Sequence, residues 1–344
     1  MLSRVANSLY WMARYIERAD NLARLIEVNE RVLLDFGSDD AGSQETFWRP
    51  IIESSGEDER FAELNADGGE AGSVVYFLTE DRRNPNSIIS CVAQARENAR
   101  MVRDQLSEAL WEEINSLFLF VNSESARRML VEDRADYFSA IRRGTFCFHG
   151  IAAGTTLRGE AWEFMDLGRH LERADKTTRF LDIAHFLPPE YAASADHWMA
   201  ILKSCGALDA YRTINRGAVD RDSVTEFLLF DLNFPRSIAF CIDRVDGCLH
   251  HISGRPRGTY GDGAERCSGR LLSKMGFGSM DDVRETGLHA YLDRLQEMIN
   301  EVGSETFETY VLLQERNQTS PIMPPTTLTP VQAWQMEQQQ QQQQ

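Results

Sequence analysis

A chain of 344 residues with 42% hydrophobic content is long enough to bury one large core or two modest ones, so a globular protein is expected. A formal net charge of -17 works against the generic attraction that brings proteins to nucleic acid or anionic membrane, so neither is expected as a partner. No apolar run reaches membrane-spanning length, Glu17 and Asp20 interrupt any targeting pattern near Met1, and six scattered cysteines lack C-x-x-C spacing. A cytoplasmic, reduced location is the simplest expectation.

The first predicted element is a bundle helix. Val5, Leu9, Met12, Ile16, Ala19, Ala23 and Ile26 alternate at spacings of four and three, which lines them along one seam. Asp20 lies beside this seam, Glu17 and Arg24 further round, and Arg14 and Arg18 near the opposite face, so the charges are expected to grade from core edge to solvent. Polar, Gly-rich and acid-rich stretches at 37–45 and 54–73 then read as connections around a short segment anchored by Trp48. Asn84-Pro85 signals the start of a second helix with the stripe Ile88, Val92, Ala95, Ala99, Val102 and Leu106.

At residues 167–180 the opening pattern returns. Arg14, Glu17, Arg18, Asp20 and Arg24 correspond to Arg169, Glu172, Arg173, Asp175 and Arg179. Two further blocks follow in the same order: Trp48 and Gly56 match Trp198 and Gly206, while Phe77, Asp81, Pro85, Ser87 and Cys91 match Phe227, Asp231, Pro235, Ser237 and Cys241. Ordered blocks at nearly constant offset predict two diverged copies of one helical unit. The expected fold is an all-α helical bundle, with a first repeat over 1–150 and a second over 151–315 packed into one domain. A solvated charged face drifts between copies, so the retained Arg-x-x-Glu-Arg-Ala-Asp set points to a paired ion network or a binding site. Helices meeting near a pseudo-twofold axis would let Glu17 reach an arginine of the second copy and Glu172 one of the first.

Residues 253–270 read as a Gly-rich loop whose Arg255, Arg257, Arg266 and Arg270 are candidates for anion or partner capture. The Pro- and Gln-rich stretch 316–344 is expected to be disordered.

The common nucleotide, hydride, serine-hydrolase and zinc-protease motifs are missing from the sequence. Glu17 with Asp20 and Glu172 with Asp175 form i, i+3 carboxylate pairs of the type that carboxylate-bridged bundles use, but histidine is missing and the neighbouring arginines repel cations. No metal and no cofactor are therefore expected.

The opening "MLSRVANSLYWMARYIERADNLARL", with "ARENARMVRDQLSEALWEEIN" at 95–115, resembles the bacterial alpha-E family, an all-helical domain of unknown function named for a recurring Glu-Arg motif. That motif falls on Glu17-Arg18 and Glu172-Arg173. The resemblance implies an accessory component of a peptide- or protein-modification system that forms amide bonds. Its implied partners are an ATP-grasp ligase-like protein and, second to it, a transglutaminase-like protein. The alternative is an enzyme in its own right, using the paired carboxylates for acid/base or metal chemistry.

Overall fold

The opening seam folds as one long helix, α1 (Ser3–Asp35), whose Leu9, Met12, Ile16, Ala19, Ala23 and Ile26 are fully buried. The computed structural model describes residues 1–35, 41–64 and 73–312; the 316–344 tail lies outside them. Helices α2 (Ala41–Ser55), α3 (Asp58–Leu64) and α4 (Ser73–Thr79) come next. Residues 41–45, 54–55 and 58–64 fall in stretches expected to be connections, and their helical state, in α2 and α3, is a correction. Pro50 and the polar composition disguise it, while Trp48, Ile51 and Ile52 bury one face.

The first half continues through α5 (Ile88–Met101), a 3-10 turn at Arg103–Gln105, α6 (Glu108–Val121), α7 (Glu124–Glu132) and α8 (Arg134–Thr155). The second half contains α9 (Glu160–Phe186), α10 (Pro189–Ala192), α11 (Ala195–Ser204), α12 (Leu208–Ile214), α13 (Arg221–Phe230), α14 (Ile238–Ser253), α15 (Gly263–Phe277), α16 (Met280–Thr286) and α17 (Leu288–Phe307), closed by a π turn at Glu308–Leu312. The described residues are all-helical, with no strand and no helix long and apolar enough to cross a membrane.

Packing is centred on α1 and α9, which run side by side in the same direction: Met1 pairs with Glu160, Tyr10 meets Gly168, and Glu17 meets Arg173. A Cβ at Gly168 would lie 2.3 Å from the Tyr10 carbonyl oxygen, so only glycine permits this approach. Around this pair the contacts run in parallel. α1 packs on α5 and α8, as α9 packs on α14 and α17; α5 and α8 both pack on α6, as α14 and α17 both pack on α15; α2 packs on α9 and α11 on α1.

Local signals match as well. Ser87 and Ser237 cap α5 and α14, accepting from the Ser90 and Phe240 N–H groups. α2 ends with Gly56 at φ 72° and α11 with Gly206 at φ 60°, and both ends place the next residue's N–H on a carbonyl five residues back, Glu57 on Ile52 and Ala207 on Leu202. Because α5, α8, α9, α11 and the π turn all pack on α1, its charged face is covered too. Glu17, Asp20, Asn21, Arg24 and Glu27 are buried, which corrects the expected grading towards solvent.

Candidate functional site

The parallel approach of α1 and α9 places the two Glu-Arg pairs opposite each other, and they exchange partners. Arg173 donates Nε at 2.9 Å and Nη2 at 2.8 Å to the two carboxylate oxygens of Glu17. Arg18 donates Nε at 2.6 Å and Nη2 at 2.9 Å to those of Glu172. Both glutamates have 0% of their surface exposed. Each accepts from a second guanidinium as well, Glu17 from Arg236 Nη1 at 2.7 Å and Glu172 from Arg14 Nε at 2.8 Å.

The aspartates complete the network. Asp20 accepts from Arg24 at 2.9 Å, Arg236 at 2.7 Å and the Thr145 hydroxyl at 3.0 Å. Asp175 accepts from Arg179 at 3.0 Å and lies 3.1 Å from Lys176 Nζ. Arg179 also donates to the Ser54 carbonyl at the end of α2, while Arg24 reaches Gly206 at the end of α11. Nine of the ten charged residues expected from the repeated pattern thus fall into two matching ion networks, one round Glu17 and one round Glu172. Arg169 pairs instead with Asp166, and its Nε has no hydrogen-bond partner among the described residues.

Burial alone would raise the Glu17 carboxyl, but Arg173 and Arg236 more than reverse this and hold it well below the carboxylate range. Burial likewise opposes ionisation of Glu172, and Arg18 and Arg14 overcome it. The Asp175 carboxyl is brought down to about 2, its burial outweighed by Lys176 and Arg179. All three are therefore anionic at neutral pH. With their oxygens engaged by cations, they offer a metal ion neither free lone pairs nor a favourable field.

Sequence reasoning missed several members. Arg236 stands where the first block has Asn86, and Asn86 accepts from Arg18 while Arg236 bridges Glu17, Asp20 and Asn21. His149, from α8, places Nε2 3.2 Å from Glu17 Oε2, and burial depresses its basicity despite the neighbouring glutamate. The comparison of Pro85-Asn86-Ser87 with Pro235-Arg236-Ser237 held a signal for Arg236; a lone histidine held none.

The candidate capture loop is shorter than expected, because α15 begins at Gly263 and carries Arg266 and Arg270. Its cations are engaged internally: Arg255 by Asp262 and Glu265, Arg257 by Asp243 and Asp246, Arg270 by Glu301, and Arg266 by the Gly261 carbonyl. These pairs oppose the expected role in anion capture.

Residues 1–311 match Alpha-E, described as a predicted alpha-helical domain with a conserved ER motif. The chain belongs to the Alpha-E family. Among the chain's relatives, uncharacterized proteins of Mycobacterium bovis and Mycobacterium tuberculosis are each 29% identical over 266 residues. That match covers 73% of this chain but 30% of each relative's length. No solved structure matches this Alpha-E chain.

Proposed function

We propose that the chain is a non-catalytic helical component of a peptide- or protein-modification system that forms amide bonds. It works in the cytoplasm with an ATP-grasp ligase-like partner and, second to it, a transglutaminase-like protein. The observation that carries the non-catalytic role is the saturation of Glu17 and Glu172: both are enclosed and hold two guanidiniums each. A general acid or base needs a shifted pKa near the working pH and access to substrate, and these carboxylates have neither. The partner class rests on the family resemblance.

On this reading the chain is also two diverged copies of one unit. Support comes from the parallel packing about α1 and α9, the paired serine caps, the paired glycine ends and the reciprocal Glu-Arg exchange. The ion cluster then serves as an internal lock that fixes how the copies meet, since buried pairs set geometry more effectively than they add stability.

The test begins with purification of the tagged chain from its own cells and identification of an ATP-grasp ligase-like protein with it. The recovered ligase is then assayed for ATP-dependent ligation of peptides, alone and with the chain. Stimulation by the added chain, with no turnover by the chain alone, is the expected result. Ligation or ATP cleavage by the isolated chain, or a ligase indifferent to it, overturns the proposal.

A further inference from the structure

Away from the ion cluster, the C-terminal end of α9 meets the N-terminal end of α17. The first brings Asp182 and His185 at spacing i, i+3, and the second His289 and Asp293 at i, i+4, so each helix turns a carboxylate and an imidazole to one face. His289 Nδ1 lies 2.8 Å from Asp182 Oδ1, and His289 Nε2 lies 3.4 Å from Asp293 Oδ2. One donor atom from each of these three residues falls within 4.8 Å of the others. The His185 ring stacks on His289 with centroids 3.6 Å apart and planes 4° apart, and it has no hydrogen-bond partner among the described residues.

The group opens onto a cleft of about 640 Å³ whose walls include Asp182, His185, His289, Asp220, Arg221 and Asp222. Asp222 is paired with Arg284, and Asp220 caps α13 through the Ser223 N–H. Arg221 is the only cation among the cleft's described lining residues; Asp222 is answered by Arg284, which leaves Asp182 and Asp220 against it. The field in the cleft therefore favours a cation.

We propose that Asp182, His289 and Asp293 bind one divalent first-row transition cation of zinc's class. Mixed imidazole and carboxylate donors suit zinc and its neighbours, whereas magnesium and calcium take oxygen alone. Building such a site from carboxylate–histidine pairs on two facing helices is a known use of bundle geometry. Asp182 is buried and fixed, and Asp293 is exposed and free to swing inward. The side facing the cleft is left for water or a ligand oxygen, as in zinc sites that keep an open position. The acids of the Glu-Arg pairs, Glu17 and Glu172, do not contribute, being filled by arginine.

The test uses the untagged chain, dialysed to equilibrium against buffered Zn²⁺, with Co²⁺ absorption as a second readout. The expected result is one Zn²⁺ per chain, undisturbed by excess Mg²⁺, and visible Co²⁺ bands that Zn²⁺ abolishes. His289→Gln and Asp293→Asn should each weaken binding by at least about tenfold. Because Asp293 is exposed, its variant folds normally and keeps the test decisive. Absence of stoichiometric Zn²⁺ in the wild-type chain, or unchanged affinity in both variants, overturns the proposal.

Discussion

Replacing Glu17 by glutamine keeps the shape of the side chain and removes the charge that Arg173 and Arg236 share. Both arginine side chains are about 10% exposed, so two nearly dry guanidiniums lose a carboxylate without gaining water. Removing one partner of a buried pair costs about 3–5 kcal/mol, and because glutamine is easier to bury than glutamate, the low end near about 3 kcal/mol is expected. At about 2 °C per kcal/mol for a chain of this size, the melting temperature should fall by about 6 °C. Urea unfolding of wild type, Glu17→Gln, Arg173→Met and the double variant would measure it, with the double variant less destabilised than the sum of the singles. Glu172→Gln, which strands Arg14 and Arg18, should behave alike. Arg284→Gln on the exposed Asp222 pair provides the comparison and should leave the midpoint in place. A loss below about 1 kcal/mol for Glu17→Gln, the size of a surface pair, would refute the claim that the cluster is desolvated.

Four further expectations follow from the same structure. Glu17, Glu172 and Asp175 titrate below their unfolded values, so the stability they contribute is complete above about pH 4.5 and is lost as pH falls through their folded pKa values; melting curves should drop steeply below pH 4.5, and less steeply in Glu17→Gln. His170 is buried, and desolvation pushes its pKa down to about 4, so the unfolded chain takes up a proton between pH 6.5 and 4 that the folded chain refuses. Stability should therefore fall with pH across that window by up to about 1.4 kcal/mol per pH unit for this residue, and an imidazole NMR titration with a midpoint near 6.5 would contradict the assignment. Gly168→Ala drives a methyl into the Tyr10 carbonyl and should destabilise by at least about 1–3 kcal/mol. Gly206→Ala should cost more than Gly56→Ala: both sit at positive φ, but its Cβ also meets Arg24 Nη1 at 3.0 Å, against 3.6 Å from Gly56 to Arg179.

The helical periodicity was easy to read, since the α1 stripe from Leu9 onward and the α5 stripe up to Val102 are buried as spaced. Comparing the chain with itself also brought Glu17, Arg18, Glu172 and Arg173 to attention, because charge is kept at matched positions only under constraint. What escaped was information carried by a third helix. The face of α1 bearing Arg14 and Arg18 reads as solvent on a helical wheel, until α9 covers it and supplies Glu172. Helix α2 was hidden by polar residues and Pro50, and only its burial of Trp48, Ile51 and Ile52 against neighbours explains its formation. Asp182 and His289 stand 107 positions apart, so neither suggests the other without the antiparallel contact of α9 and α17. The basic composition at 253–270 misled in the other direction, because the acids that neutralise it come from α14, α15 and α17 as well as from the loop.

The exchange of arginines between α1 and α9 also sets an order on biosynthesis. α1 is made first, yet the Arg173 that neutralises Glu17 is 156 residues further along, and the helix that covers its charged face ends only at Phe186. At about 5–20 residues per second, a ribosome leaves the nascent α1 without that partner for roughly ten to thirty seconds. During that interval its apolar stripe can pack on α5 and α8, but its carboxylates must stay hydrated. The first half can thus collapse during synthesis without reaching its final packing. The locking step comes only once the second half has emerged.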